Sequence, residues 1–290
     1  MNRLDTRAVA MPVIRAEAHR LRMALKRPYD NALGRLDAFD VIVVALDDGA
    51  GRVGWGEACP VAGYSPESPD EAWAYTGRIL PGLLGHAPGE IARLVAGDLE
   101  RYPFVVSAIH EALDDLAEAP TLYGSDAPAA VELLGTVNTL ELGEAPAAAV
   151  ELVEQGYRTL KVKVGYEPVA DAARVAAIAD AVEGRAVLRM DANQGYDLGQ
   201  ALDFARRVPP SAFEVFEQPV PAQRWDLVAA IAGERILPLM LDESIYGSAD
   251  IERAASLDGV AAVKLKMSKS GGPGALAKQV ALARRRALTW

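Results

Sequence analysis

Three acidic residues stand at nearly equal intervals, each at the end of a short apolar run: Asp191 in VLRMDAN, Glu217 in FEVFEQP and Asp242 in LPLMLDES. The steps between them are 26 and 25 residues, and 24 more reach Lys266. The repeating unit of a parallel β/α barrel has about this length. Equal steps therefore put one acid on each of three successive strands, at the same end of the sheet. Lysines bracket the set: Lys161 and Lys163 in LKVKVG, and Lys264, Lys266 and Lys269 in VKLKMSKSGG. The pattern describes a cation site with ammonium groups on either side. A single Asp at a strand end is ordinarily a helix cap or loop residue. A single KxK is ordinarily a solvated edge. Three acids in step, with lysines on both flanks, form a joint pattern that neither reading explains.

The surrounding periodicity supports that frame. From about residue 130 the chain alternates strand and helix: VELLGTVNT, a helix over 144–155, LKVKV, a helix over 168–183, then AVLRMD, FEVFE, LPLML and AAVKLK with helices between them. Strict alternation with short apolar strands implies a parallel sheet with right-handed crossovers. A doubly wound sheet would carry a Gly-rich phosphate turn after an early strand, and none is present. Six βα units are expected. The chain stops at ALTW, where a seventh strand should begin, so the last strands of a closed barrel are expected to be missing.

The first 125 residues read differently. Strands are expected over 13–23, over 39–48 (FDVIVVALDD) and, after the turn DDGAG, in VGWGEA. Helices follow over 67–85, 88–98 and 104–118, with Ser68 and Pro69 as cap and first turn of the first. The expected organisation is an N-terminal α+β capping domain over 1–125 and an incomplete β/α barrel over 126–290.

Composition narrows the function. Of 290 residues 51% are hydrophobic, enough for one or two sizeable cores, and the formal net charge of −10 argues against a nucleic-acid partner. An anionic substrate stays compatible, because a bound cation and local lysines invert the local field. The single cysteine, Cys59, rules out a disulfide within the chain and a CxxC zinc site; it reads as core or loop. No signal-peptide core or membrane-length apolar run is present, so a cytoplasmic protein with no membrane partner is expected. The histidines, His19, His86 and His110, do not fall at strand ends of the barrel half; His110 reads as packing.

Such a site suits one kind of chemistry. A carbon alpha to a carboxylate is a very weak acid, and removing its proton makes a dianionic, enolate-like species. Three carboxylates hold Mg²⁺ with positions left for substrate oxygen, and stabilising charge as it develops lowers the barrier. A lysine base must be deprotonated, which a neighbouring ammonium group and a divalent cation favour. Residues i and i+2 of a strand share a face, so Lys161 and Lys163 point the same way, and Lys264 and Lys266 follow the same rule on the sixth strand. Asn193 reads as a partner of the metal ligands or a turn residue. Glu243 reads as a secondary contact pointing opposite to Asp242, and Lys269 as a solvated loop lysine.

The segments GWGEA (54–58), LKVKVG (160–165), RMDANQGY (189–196), EQP (217–219), DES (242–244) and KMSKSGGP (266–273) resemble the enolase superfamily, in its muconate-lactonizing subgroup. The likeness runs from about residue 8 to the end. It implies a modified β/α barrel with an α+β capping domain, and Asp191, Glu217 and Asp242 as ligands of Mg²⁺, or of Mn²⁺. It further implies Lys163 as acid/base on one face of the substrate, assisted by Lys161, and Lys266 as acid/base on the other. The capping segments that set substrate choice correspond to RPYDNALG (27–34) and VAGYSPES (61–68), which makes Tyr29 and Tyr64 candidate substrate contacts. The implied reaction is proton abstraction from a small carboxylate, ending in cycloisomerisation or in racemisation or epimerisation. Alternatives are epimerisation of an amino-acid derivative or dipeptide, syn dehydration of the o-succinylbenzoate type, and an inactive truncated relic. A homo-oligomer is expected by the same analogy.

Overall fold

The computed structural model describes residues 11–32, 34–117, 130–209 and 213–290, and the chain divides into two compact units. Unit 1 groups residues 1–24, 38–125 and 266–277; unit 2 groups 25–37, 126–265 and 278–290. The expected boundary near 125 therefore has two exchanges across it. Residues 25–37 group with the later unit, and residues 266–277 with the earlier one.

The antiparallel sheet is ordered β1 (Arg15–Asn31), β2 (Gly34–Asp47), β3 (Val53–Ala58), and its residues 15–24 and 38–58 belong to unit 1. β1 is longer than the expected 13–23. Its polar sequence lacks alternation, and it tolerates Pro28 because it is an edge strand. β2 and β3 pair antiparallel from Ile42↔Ala58 to Asp47↔Val53. Three helices follow: α1 (Pro69–Ile79), α2 (Pro88–Val95) and α3 (Pro103–Leu116). Ser68 Oγ accepts from Glu71 N, and Glu71 Oε2 accepts from Ser68 N, so the expected cap is a reciprocal capping box. The expected helix to residue 85 stops at Ile79. Pro81 cannot continue an α-helix, and Leu80–Leu83 forms a 3₁₀ turn instead.

The pattern GWG gains its reason here. A Cβ on Gly54 would overlap the carbonyl of Ala112, and one on Gly56 the carbonyl of Ala108. Glycine at both positions lets β3 lie directly against the backbone of α3. The edge amides of β3 are satisfied by α3 side chains: Trp55 N donates to Asp115 and Glu57 N to Glu111. Ile42, Val44, Leu46, Val105, Ala108, Ile109 and Ala112 form the core of the unit.

Unit 2 repeats strand and helix: β4 (Leu134–Val137), α4 (Ala145–Glu154), β5 (Thr159–Lys163), α5 (Pro168–Val182), β6 (Val187–Asp191), α6 (Leu198–Arg207), β7 (Phe213–Glu217), α7 (Trp225–Glu234), β8 (Leu239–Leu241), α8 (Ser248–Ala255), β9 (Val260–Val263). Among the described residues the strands form one parallel sheet in sequence order, as the alternation requires. Leu160, Val162, Leu188, Phe204, Phe216 and Ile178 lie in one continuous core between sheet and helices. Beyond β9 come the short helix α9 (Met267–Ser270), which belongs to unit 1, and α10 (Pro273–Arg285). Thr289 then pairs in parallel with Ala262, donating to Ala261 O and accepting from Val263 N. Thr289 thus lies beside β9 in a single parallel bridge.

Candidate active site

Register explains why equal sequence steps matter. Lys163 pairs with Asp191, and Asp191 with Glu217, so the ends of β5, β6 and β7 stand at one level. Glu217 pairs with Met240 on β8, and Asp242 lies two residues further on, past the strand end. The third acid therefore sits in the turn after β8 rather than on the strand. All three acids are buried.

Lysines lie between these carboxylates. Lys161 Nζ is 2.7 Å from Asp191 Oδ2 and straddles Glu217, 3.1 Å from Oε1 and 2.8 Å from Oε2. Lys163 Nζ donates to the same Asp191 oxygen at 2.9 Å and to Asn193 Oδ1 at 2.6 Å. The shared face expected for Lys161 and Lys163 is thus present, since both reach one oxygen. Lys264 Nζ is 2.7 Å from Glu217 Oε1. Burial opposes the charge on Lys161, but the Asp191 and Glu217 carboxylates outweigh it and hold its pKa well above the ordinary value. Burial likewise opposes ionisation of Asp191, yet Lys161 and Lys163 pull it down to about 2. Lys264 is lowered, chiefly by burial.

Two expectations need correction. β9 ends at Val263, before Lys264 and Lys266, so the two do not share a strand face. Lys264 turns to Glu217 in unit 2. Lys266 groups with unit 1, where its Nζ donates to Tyr64 Oη at 2.6 Å. Lys269 is not a solvated loop lysine; it is 1% exposed within α9, with Nζ 5.6 Å from the Tyr64 ring centre. Glu243 follows β8, whose strand alternation ends at Leu241. Its Oε1 accepts from Asn193 Nδ2 at 3.1 Å, so Asn193 bridges Lys163 and Glu243. Burial first, then the Asp242 and Asp191 carboxylates, push Glu243 up to about 7.

Other residues singled out in the sequence belong to unit 1 or fall outside the described set. The side chain of Tyr29 is outside the described residues. Cys59 is half-buried and pushed up to about 11, mainly by burial. His110 Nδ1 donates to Gly271 O at 2.6 Å within unit 1.

Sequence reasoning passed over the groups that hold the acids in place. Gln218 accepts from Asp242 N and Ser244 N through Oε1, and donates to Ser244 Oγ and Val220 O. The glutamine of EQP thereby clasps the DES turn. Asn193, Gln194 and Gln218 all adopt left-handed backbone conformations directly after Asp191 and Glu217. Such strain in non-glycine residues persists only where surrounding contacts fix it. Asp171 is buried and accepts from Gly165 N, Tyr166 N, Arg174 and Tyr196 Oη, while Arg174 also donates to Lys163 O at 2.7 Å. Gln218 and Tyr196 sit inside the matched motifs, which was the available signal; Asp171 and Arg174 lie on a helix and gave none.

A divalent cation can be tested against this donor set. Among the described residues no three acidic, histidine or cysteine side chains converge closely enough to hold a metal ion; Lys161 and Lys264 stand between the carboxylates. The chemistry of the donors nevertheless suits a hard cation, since all are carboxylate oxygens. Among the described residues Glu217 Oε2 and Glu243 Oε2 are buried without a hydrogen bond, the contact of the former with Lys161 being an undirected ion pair. Asp242 and Glu243 bring two further carboxylates beside Asp191, and their mutual repulsion, seen in the raised pKa of Glu243, is of the kind that a cation would relieve.

The Enolase C-terminal domain-like family matches residues 144–290. Muconate cycloisomerase 1 of Rhodococcus opacus is 30% identical over 282 residues, covering 90% of this chain and 74% of that protein. The D-Ala-D/L-Ala epimerase of Cytophaga hutchinsonii is 28% identical over 271 residues, with 90% and 74% covered. The crystal structure of a dipeptide epimerase from the same organism, complexed with Mg and D-Ala-L-Val, superposes with a TM-score of 0.88 at 27% identity, covering 95% of this chain and 77% of that one. Sheet and relatives agree: the chain belongs to the enolase superfamily, in the branch that contains the muconate-lactonizing enzymes. Its fold is the modified β/α barrel with an antiparallel-sheet capping unit. Among the described residues no helix is long and apolar enough to cross a membrane.

Proposed function

We propose that the protein removes the proton alpha to the carboxylate of a small substrate and returns one, as an epimerase or racemase that uses Lys163 and Lys266 as its acid/base pair. The observation behind this reading is Lys163 at the end of β5, buried and oriented by Asp191 and Asn193 beside a second lysine. Asp191, Glu217 and Asp242 would hold Mg²⁺, with Mn²⁺ as a substitute. When bound, the ion supplies positive charge where the substrate carboxylate gains electron density. Lys163 takes or gives the alpha proton at Nζ. Lys161 neutralises the substrate carboxylate once drawn off its protein partners, and Asn193 keeps Lys163 oriented. Lys266 performs the second transfer, a role that rests on the family motif KMSKSGGP. The relatives named as D-Ala-D/L-Ala epimerase and dipeptide epimerase favour a dipeptide as the substrate class.

A second reading, cycloisomerisation of a muconate-like diacid, is favoured by the Rhodococcus relative and needs only one lysine. One experiment separates the two. Purified protein with Mg²⁺ is incubated in D₂O with alanine-containing dipeptides and, separately, with muconate. Deuterium entering the alpha position with loss of stereochemical purity supports epimerisation. Lactone formation from muconate supports the second reading. Neither reaction with either probe would sink both.

A further inference from the structure

Lys266 is placed by contacts that the catalytic reading does not use. Its backbone begins α9, and its carbonyl accepts from Ser270 Oγ at 2.8 Å. The turn after that helix is fixed to α3: Ser107 Oγ accepts from Gly271 N at 3.1 Å and donates to Met267 O at 3.0 Å. Gly271 and Gly272 have positive φ, and a Cβ on Gly272 would press into His110. The base of the Lys266 side chain is therefore rigid.

Its far end meets Tyr64. Nζ donates to Tyr64 Oη at 2.6 Å and lies 4.5 Å from the ring centre, toward the hydroxyl end of the face. The ring is itself oriented by Phe104, at the start of α3, whose ring meets it edge to face at 6.3 Å and 88°. One helix thus supports both the root of the lysine and the aromatic group that receives its tip. A hydroxyl acceptor and an aromatic face both attract an ammonium group without neutralising it.

We propose that Tyr64 is a positioning residue for Lys266, holding its ammonium group in a fixed direction and limiting its reactivity, so that one of the two proton-transfer faces depends on a capping-segment tyrosine. The catalytic consequence rests on the proposed role of Lys266; the positioning itself does not. It follows that Tyr64, although it lies in the segment 61–68 expected to select substrate, acts on the reaction through the lysine.

The test uses two readouts. In the first, the full chain is pulse-labelled with sulfosuccinimidyl acetate across neutral pH, and the labelling of Lys266 relative to exposed Lys278 is followed by mass spectrometry. The ratio cancels differences in reagent dose and pH, and a hydrogen-exchange measurement on each variant reports any general loosening. Tyr64→Phe keeps the ring and removes Oη, and should raise the ratio roughly tenfold, the weight of one hydrogen bond to a charged group at a half-exposed site. Tyr64→Leu, which also removes the ring, should raise it further. An unchanged ratio in both variants overturns the proposal. In the second readout, alpha-deuterium exchange is measured separately for the two stereoisomers of the alanine dipeptide that reacts. Tyr64→Phe should slow exchange from one stereoisomer and leave the other within about twofold, because only the Lys266 face loses its support. Equal slowing of both would assign Tyr64 to substrate binding and overturn it. If the unaltered protein exchanges no probe, the functional reading fails, and the labelling ratio still decides whether Tyr64 holds Lys266.

Discussion

Lys163 and Lys266 hold equivalent places in the sequence pattern, yet different physics fixes them. Lys163 ends a buried strand, and the hydrogen-bonded ladder sets its neighbours: Asp191 beside it, Glu217 one strand further. Lys266 lies three residues beyond β9, and its partner Tyr64 is 202 residues away in sequence. The first is specified by local periodicity and register. The second depends on a helix and a capping segment meeting correctly. Charged residues on strands can therefore be placed from spacing alone, while those just past a strand end cannot.

The largest expected effect tests whether the lysines divide the chemistry. Lys163→Ala should lower alpha-proton exchange about 10²- to 10⁴-fold for one stereoisomer, the usual weight of a general base, and Lys266→Ala should do so for the other. Equal losses for both stereoisomers in each variant would erase the distinction. Next comes the charge cluster itself. Glu217→Ala leaves Lys161 with Asp191 alone and takes from Lys264 the carboxylate it meets at 2.7 Å, and should cost about 3–5 kcal/mol in chemical denaturation while abolishing any Mg²⁺-induced rise in melting temperature. A cost below about 1 kcal/mol would mean that the lysines find other partners.

Unit 1 should answer to sterics instead. Gly56→Ala drives a methyl group into the Ala108 carbonyl and should destabilise by about 1–3 kcal/mol. Gly77→Ala, in the open face of α1, should stabilise by about 0.5–1 kcal/mol. The same sign for both would show that the close approach of β3 to α3 relaxes without cost.

The smallest effect is a pH dependence. Burial pushes Glu67 up to about 7, although its Oε1 accepts from Phe104 N at the start of α3. An acid whose pKa is raised by folding favours the folded state while protonated. Its contribution is full below about 4.5 and is lost as pH rises to about 7. Glu67→Gln should remove that slope and gain on the order of 1 kcal/mol relative to the unaltered protein at pH 8. Urea denaturation of both at pH 5 and pH 8 measures it, and parallel pH dependence would assign the slope to another group.

Much of the site was legible in the chain. LKVKV, VLRMD and FEVFE are apolar runs of strand length ending in charge, and their spacing alone aligned Lys163, Asp191 and Glu217. The reading weakened where regular structure stopped. Asp242 and Glu243 follow β8, so alternation no longer governs which way they point. Lys269 looked solvated because neighbouring serines and glycines suggest a loop; α9 against α3 buries it.

The sequence by itself determined the strand–helix alternation, the level at which the first acids stand and the family, because a strand has a period of two and a βα unit a nearly constant length. Only the tertiary structure decided that Lys264 turns to Glu217, that Lys266 rests on Tyr64 and that Asn193 links Lys163 to Glu243. Those contacts join residues whose directions are set by turns and helix packing, and no periodicity in the chain encodes such directions.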